Sequence, residues 1–252
     1  MTKKERRIIN FKYAMTNMDV EIARTGRLIR RYNRFLADVS LPGGKTQTVH
    51  CPNSGSMRSL LRDGARVWLS YHPSEKRRLH YTLEAIELEG GGLACVNTQL
   101  PNRIVHEAIQ EGRIAGLRRF TDVKREASHG DSRFDLRLDG SKERFVEVKN
   151  VTLMEPGHQR IAQFPDSPTT RGQKHLRGLM ELGREGYMFF CVNRTDCDRF
   201  MIARHIDPAY YEAFCQAKKK GVRMLAYRSD ISIHKNTLHI RVSHKIPLIW
   251  QC

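Results

Sequence analysis

The stretch "RFDLRLDGSKERFVEVKN", residues 133–150, predicts two β-strands joined by a turn, with charged residues inside otherwise apolar segments. Alternate residues of a strand face the same way, so Glu147 and Lys149 share one face while Val146 and Val148 occupy the other. The pattern therefore places two charges on one side of a strand and a core on the other side. It is compatible with a surface hairpin carrying solvated charges, and with a site in which Asp135 and Glu147 hold a metal ion.

The turn decides whether Asp135 and Glu147 can meet. In an antiparallel hairpin, directly paired residues share a face, and their residue numbers add to a constant. A two-residue turn at residues 139–140, which the Asp-Gly sequence favours, gives an odd sum and places the two carboxylates on opposite faces. A five-residue loop over residues 139–143 gives an even sum and sets Asp135 opposite Glu147, and a bulge has the same effect. We predict the even register, because the family resemblance described below requires it.

Asp135, Glu147 and Lys149 are the side-chain types that phosphodiester hydrolysis needs. Carboxylate oxygens hold Mg²⁺ or Mn²⁺, and we expect Asp135 and Glu147 to do so together with the backbone carbonyl of Val148. Lys149 would orient the attacking water or offset negative charge that develops on the phosphate. The spacing alone is a weak signal, since acidic and basic residues are common on exposed strands.

Composition favours a polyanionic partner. The chain has 252 residues and a formal net charge of +17, from 44 Lys plus Arg against 27 Asp plus Glu. No apolar run approaches the roughly 18 residues of a spanning helix, and the N-terminus lacks the apolar core of a signal peptide. The six cysteines show no CxxC pair, so we expect reduced thiols rather than a zinc site or a disulfide framework. We therefore expect a cytoplasmic protein that binds nucleic acid and no membrane.

The chain divides by pattern into three parts. Residues 1–17 form a basic extension without clear periodicity. Residues 18–98 contain short β-type segments separated by turns with Gly or Pro, which predicts a small all-β barrel. In residues 99–252, strands alternate with helices, the first of them opening at Pro101 and another closing at Gly186, which predicts an α/β domain.

A basic segment of the barrel, "RTGRLIRRYNRF", mixes cations with aromatic rings. Such a surface suits phosphate contacts together with base stacking. The alternative is a charged barrel exterior whose aromatic residues belong to the core. The nucleic-acid-binding candidates in this segment are Arg27, Arg30, Arg31, Tyr32 and Arg34.

Further polar groups lie on either side of the hairpin. In "TTRGQKHL", Arg171 and Lys174 are candidates for binding a phosphate near a helix N-terminus. His175 ranks below them, because consecutive residues cannot both point into one site. Upstream, Glu107 or Glu126 would supply an additional carboxylate, and Glu126 is preferred for its nearness to Asp135, although helix packing and loop solvation explain both residues equally well.

Several motifs in order along the chain resemble the sugar fermentation stimulation protein A family of bacteria and archaea. They are "RLIRRYNRFLADV", "HCPNSGSM", "VNTQLPNRIV", "SRFD", "FVEVKNVTL", "FPDSPTTRGQKHL" and "IDPAYYEAF". The resemblance implies an N-terminal OB-like barrel followed by a domain similar to the PD-(D/E)xK nucleases of restriction-endonuclease type. It also implies DNA binding with little sequence preference and a link to maltose-utilisation genes. In the motif PD-(D/E)xK, the resemblance implies that Asp135 is the Asp, Glu147 the second acidic residue and Lys149 the Lys. Phe134 occupies the position of the Pro in the motif name.

We therefore predict an α/β protein with an N-terminal all-β OB-like barrel and a C-terminal restriction-endonuclease-like mixed sheet flanked by helices. The predicted function is DNA binding, mainly through phosphate contacts, with a Mg²⁺- or Mn²⁺-dependent nuclease-type site. The rival is a non-catalytic DNA-binding regulator of sugar (maltose) utilisation genes. A third hypothesis is an RNA-processing accessory protein, since positive charge alone does not distinguish an RNA ligand from a DNA ligand. Assembly into a homo-oligomer stays open.

Overall fold

The computed structural model describes residues 18–118 and 120–249, so the basic extension predicted over residues 1–17 lies outside the described residues. The barrel strands are β2 (Arg24–Tyr32), β3 (Leu36–Ser40), β4 (Thr46–His50), β5 (Arg66–Tyr71), β6 (Tyr81–Glu87) and β7 (Leu93–Cys95). The remaining strands are β1 (Met18–Glu21), β8 (Asp122–His129), β9 (Ser132–Asp139), β10 (Arg144–Val151), β11 (Ile161–Phe164), β12 (Gly186–Val192), β13 (Arg199–Ile202), β14 (Arg223–His234), β15 (Thr237–Lys245) and β16 (Leu248–Ile249). The helices are α1 (Pro101–Gln110), α2 (Thr170–Leu182) and α3 (Pro208–Lys219).

In the N-terminal region, β2 to β6 form a closed five-stranded barrel, and β7 pairs with β6 outside the ring. Its sheet runs in the order β4-β3-β2-β5-β6-β7, and a parallel pairing of His50 with Thr82 joins β4 to β6 and closes the ring. Closure removes the exposed sheet edges that would otherwise invite pairing with other chains. The interior is packed with buried aliphatic side chains such as Leu28, Val39 and Leu69. The OB-like barrel expected from the resemblance is confirmed.

One strand expected in the barrel lies elsewhere. β1 pairs antiparallel with β15, with Met18 opposite Ile240, so residues 18–21 extend the C-terminal sheet. Met18 and Ile22 are buried in the core of that sheet. The structure therefore differs from the predicted boundary at residue 18, because the partner strand of β1 lies more than 200 residues away and leaves no local signal in the sequence.

The C-terminal domain is built on a seven-stranded mixed sheet in the order β1-β15-β14-β12-β10-β9-β8. All seven residues of the central strand β12 are buried, since helices cover both faces. α1 packs on one face through Ile104, Val105 and Ala108, while α2 and α3 pack on the other. A small parallel sheet, β11-β13-β16, completes the domain. The expected mixed sheet with flanking helices is confirmed, and no helix of the described chain is long and apolar enough to cross a membrane.

Two local expectations need correction. α2 ends at Leu182 and not near Gly186, because Gly183 adopts a positive φ of 55° that stops the helix. The cysteines Cys51, Cys95, Cys191 and Cys197 are free and buried, as reduced thiols should be. Cys215 is disulfide-bonded, contrary to the expectation for all six.

The barrel and the sheet meet through specific hydrogen bonds. Asp166 Oδ2 accepts from the backbone N–H of Ser56 at 2.7 Å and from the Ser56 hydroxyl at 3.3 Å. Arg194, which is almost fully buried, donates from Nη1 to the carbonyl of Thr152 at 2.6 Å and to the Ser59 hydroxyl at 3.3 Å. These bonds fix the barrel beside the carboxyl end of β10.

Candidate active site

The hairpin of β9 and β10 adopts the even register. Arg144 pairs with Leu138 and Val146 with Leu136, so residues 139–143 lie between the last paired residues. Asp139 does not enter a two-residue turn because it pairs with β8 and its carboxylate binds the Arg137 and Lys124 side chains at 2.8 and 2.9 Å. The prediction of a five-residue connection is confirmed, and the register, continued by one step, sets residue 135 opposite residue 147.

The ladder between β9 and β10 stops just before Asp135. The backbone N–H of Val148 donates to Asp135 Oδ2 at 2.7 Å, so a carboxylate takes the place of a backbone acceptor. Asp135 Oδ1 accepts from Asn102 Nδ2 at 2.6 Å, and Asn102 lies in the first turn of α1. Burial and the neighbouring Glu147 charge raise the pKa of Asp135 to about 6. Asp135 is therefore held by neutral donors close to a second carboxylate.

Glu147 is the most deeply buried charged group of the site, with 2 % of its surface exposed. Its Oε1 accepts from Lys149 Nζ at 2.5 Å and also contacts Nδ1 of His175. Its Oε2 is buried without any hydrogen-bond partner from the described chain. Burial raises the pKa of Glu147, but the hydrogen bond from His175 and the charges of Lys149 and His175 outweigh it, so the pKa lies below its ordinary value. An ionised carboxylate with one unpartnered oxygen thus faces the site.

His175 comes from α2, whose start is fixed by hydrogen bonds. Thr169 caps the helix, and its own N–H donates to Asp207 Oδ2 at 2.8 Å. Asp207 in turn caps α3 by accepting from Tyr210 N at 2.8 Å, so one buried carboxylate ties the two helix starts together. His175 Nδ1 also lies 3.1 Å from Lys149 Nζ. Glu147, Lys149 and His175 therefore form one connected polar group, which we call the Glu147 cluster.

Tyr210 adds a second unpartnered polar atom nearby. Its ring is fully buried, and its hydroxyl has no hydrogen-bond partner in the part of the chain that the structure describes. Burial raises its pKa well above the ordinary value, with further contributions from the charges of Glu147 and Asp207. The hydroxyl is therefore a neutral donor within electrostatic reach of the Glu147 cluster.

Comparisons with known proteins agree with this architecture. Residues 99–235 match the family described as "Sugar fermentation stimulation protein RE domain", and residues 29–96 match "SfsA N-terminal OB domain". The chain belongs to the sugar fermentation stimulation protein family. It is 48% identical over 231 residues to a homolog of this protein from Pseudomonas putida, covering 89% of this chain and 95% of the relative. A homolog from a Marinomonas species is 43% identical over 230 residues, covering 89% and 87%.

A solved structure shares the fold. The structure of Pyrococcus furiosus SfsA in complex with Ca²⁺ superposes with a TM-score of 0.78 at 23% sequence identity, covering 92% of this chain and 98% of that one. At that identity the likeness concerns the fold alone. It supports the arrangement of an OB-like barrel followed by a mixed sheet for this family member.

The α2 residue that reaches the site is not the one that the sequence analysis preferred. His175, placed below Lys174 by sequence reasoning, contacts Glu147, whereas Lys174 is exposed. Arg171 lies one turn before His175, and its Nε is 3.4 Å from His175 Nε2, because residues four apart share a helix face. Arg171 therefore borders the site, and phosphate binding by Arg171 and Lys174 stays a prediction. Asn102 was missed altogether.

Glu126 lies opposite Asp135 across β8 and β9, but its side chain points elsewhere. The flanking pairs are Arg125 with Leu136 and Ala127 with Phe134, and Glu126 itself has a positive φ of 56°. Its carboxylate is more than half exposed and pairs with Arg133. The structure therefore does not bring Glu126 to the Glu147 cluster. Val148 contributes its N–H to Asp135, and the role predicted for its carbonyl stays a prediction.

The basic segment of β2 divides into two groups. Arg31 donates to the backbone carbonyls of Arg34, Asn53 and Gly55 at 2.6 to 2.9 Å, so its guanidinium holds the barrel loops together and has little capacity left for a phosphate. The others are more accessible. Arg27 donates to the carbonyl of Gly64, Arg34 is exposed, and Arg30 pairs with Asp38 while remaining mostly exposed.

The aromatic residues of this segment also differ from one another. The Tyr32 ring is part-buried, its hydroxyl donates to Asp38 at 3.1 Å, and the Arg30 guanidinium lies 4.9 Å from its centroid. Phe35, in contrast, is 47% exposed at the turn after β2. Phe35 is therefore the ring more accessible to a stacked base, although nucleic-acid contact by either residue is untested.

Proposed function

We propose that this protein is a DNA-binding protein with little sequence preference and a divalent-cation-dependent phosphodiesterase site at Asp135 and Glu147. The observation that carries the proposal is the Glu147 cluster beside Asp135. The half-buried Asp135 and the buried Glu147 lie on adjacent strands, close enough for the Glu147 charge to raise the pKa of Asp135, and Lys149 donates to Glu147. A carboxyl group whose pKa is shifted by burial together with a specific charged neighbour is a functional-site candidate.

The donor set fits a hard cation with few protein ligands. Two carboxylates are available, and Glu147 Oε2 is buried with no partner within residues 18–118 and 120–249. Mg²⁺ commonly binds through one or two carboxylates and keeps several waters, so a third acidic ligand is unnecessary. The Pyrococcus furiosus relative was solved with Ca²⁺, another cation that takes oxygen ligands.

The other residues of the site have distinct roles in holding the carboxylates and in stabilising charge. A bound Mg²⁺ or Mn²⁺ would supply Lewis-acid stabilisation of the phosphate. Asn102 and the Val148 N–H orient the Asp135 carboxylate toward the second strand. Lys149 carries a positive charge that can offset charge developing on a phosphoryl oxygen, and His175 holds both Glu147 and Lys149 in place.

Nucleic-acid binding rests on charge rather than on base recognition. The net charge of +17 attracts any polyanion, and Arg27, Arg30 and Arg34 keep exposed guanidinium groups on the barrel. Phosphate contacts of this kind bind unrelated sequences alike and weaken steeply with salt, with a slope of about −0.9 per neutralised phosphate on duplex DNA. We therefore expect DNA binding with little sequence preference and propose RNA as a second possible ligand.

The test is an incubation of the purified protein with labelled single- and double-stranded DNA and RNA in Mg²⁺, Mn²⁺ or chelator. Cleavage of DNA that needs the metal and is lost in Asp135→Asn supports the proposal. Glu143→Gln, an exposed glutamate in the hairpin loop, is the matched control and should cleave normally. Metal-independent cleavage, or cleavage that survives Asp135→Asn, would exclude this site as its source.

A second function is favoured by one observation. The relatives carry the name sugar fermentation stimulation protein, which describes an effect on sugar use and not a nuclease. A non-catalytic DNA-binding regulator would bind the same DNA in chelator and in metal, show no cleavage of any substrate, and prefer a particular operator. Binding that ranks a sugar-gene operator far above unrelated DNA would favour the regulator.

A further inference from the structure

A cleft of about 600 Å³ lies where the barrel meets the sheet. β5 and β6 of the barrel form one side, and β1, α1 and β8 of the C-terminal domain form the other. None of the residues of the Glu147 cluster lines it. Its volume falls within the range of about 300 to 1,000 Å³ that is typical of small-molecule sites.

Three arginines from different elements line this cleft. Arg77 comes from the loop after β5, Arg103 from the first turn of α1, and Arg125 from β8. No side-chain hydrogen bond or ion pair to these guanidinium groups is found within the described chain. Guanidinium groups bind phosphates in a bidentate manner, so three of them on one cleft favour a phosphate-bearing ligand.

Carboxylates also line the cleft: Asp19, which pairs with His239, and Glu21 belong to β1, and Glu84 lies at the floor. Glu84 is almost fully buried and accepts from the Ser70 hydroxyl at 2.6 Å and from Asn97 Nδ2 at 2.8 Å. A carboxylate repels phosphate, but its oxygens have further lone pairs that can accept from ligand hydroxyls. Thr82 is 4% exposed, and its hydroxyl lacks a partner among the described residues. A ligand that fits both ends combines an anionic group with hydrogen-bond donors.

We propose that this cleft binds the phosphate monoester of a sugar, either a free sugar phosphate or a nucleoside monophosphate. The phosphate lies among the arginines, and the sugar hydroxyls reach Glu84 and Thr82. Tyr71, half-exposed at the same cleft, offers a ring face for the sugar or the base. This site is separate from the Glu147 cluster, and its occupancy does not depend on phosphodiesterase activity.

Isothermal titration calorimetry in the presence of chelator tests the proposal. The probes are ribose 5-phosphate, adenosine 5′-monophosphate, inorganic phosphate and ribose. We expect one saturable site per chain for one or both phosphorylated sugars, with much weaker binding of phosphate or ribose alone. Preference for ribose 5-phosphate identifies a sugar phosphate as the natural class, and preference for the nucleotide identifies a base-bearing ligand.

Adjacent residues provide a matched pair of variants. Arg77→Ala should weaken binding about tenfold or more, since it removes a charged donor, whereas Arg78→Ala, which removes the same charge outside the cleft, should change it little. Arg103→Lys should bind less tightly than the wild type and more tightly than Arg103→Ala. Glu147→Gln should bind normally, which separates this site from the proposed phosphodiesterase. Absence of saturable binding, equal affinity for inorganic phosphate, or equal losses in Arg77→Ala and Arg78→Ala would overturn the proposal.

Discussion

Replacing Asp135 with asparagine should stabilise the metal-free protein at neutral pH. The pKa of Asp135 is raised from 3.8 to about 6 by burial and by the Glu147 charge. A shift of about two pKa units corresponds to about 3 kcal/mol between the protonation states. Above pH 6 the native protein therefore bears the full penalty of an ionised Asp135, and below about pH 4 it bears none.

The substitution preserves most of the hydrogen bonds. An asparagine oxygen can still accept from the Val148 N–H, and the Asn102 side chain can turn its amide to present its oxygen to the new NH₂ group. We therefore expect Asp135→Asn to raise the free energy of unfolding by about 2 kcal/mol at pH 8 in chelator, which corresponds to about 4 to 8 °C in Tm. The gain should fade as pH falls from about 6 to about 4, because the wild-type carboxyl then takes up its proton.

Urea unfolding at pH 8, 6 and 4.5 measures this difference. Asp131→Asn, an exposed aspartate in the turn between β8 and β9, makes the same chemical change and should leave stability nearly unaltered at every pH. With saturating Mn²⁺ at pH 8, the order should reverse, because the cation stabilises only a native site that binds it. A destabilised Asp135→Asn protein in chelator, or a gain that is as large at pH 4.5 as at pH 8, would refute the reasoning.

Three further substitutions test other contacts. Arg31→Ala should lower the free energy of unfolding by about 3 kcal/mol, because several backbone carbonyls lose a charged donor, whereas Arg34→Ala should change it by less than about 0.5 kcal/mol in the same urea titration. Asp166→Ala should lower it by about 1 to 3 kcal/mol, measured by thermal unfolding, since the Ser56 N–H at the domain junction loses its acceptor. His175→Gln should slow Mn²⁺-dependent DNA cleavage by about 10²-fold while DNA binding in chelator stays unchanged; an unaltered cleavage rate would remove His175 from the site.

Elements with a strong local signal could be predicted from the sequence. Short stretches of about ten residues are enough to predict some elements. They are the alternating strand around Glu147, the apolar strand β12 and helix α1 with its first proline. β8, β11 and β13 carry weaker local signals, because each is short or mostly polar and is defined by its partner strand. The pairing of β1 with β15 joins the two ends of the described chain, and no local pattern reveals it.

The site itself could be predicted only in part. Asp135, Glu147 and Lys149 were proposed because they match the nuclease motif of the resembling family, which also decided for the even register against the favoured turn. Asn102 and His175 reach the site from helices 33 and 28 residues away from the carboxylates they contact, so only the tertiary fold brings them there. The favoured Asp-Gly turn would have given the wrong register, and the pairing of that aspartate with β8 overrides it.

The DNA cleavage rates of wild-type and Glu147→Gln protein, measured side by side on labelled DNA in Mn²⁺, test the central claim most directly. Single-turnover rates should fall at least about 10²-fold in Glu147→Gln, because the buried carboxylate loses its charge, while affinity for DNA measured in chelator stays within about twofold. Glu143→Gln, prepared in parallel, should cleave at the wild-type rate. Equal cleavage by wild-type and Glu147→Gln protein, or no cleavage by the wild type with any divalent cation, would contradict a phosphodiesterase site at Asp135 and Glu147.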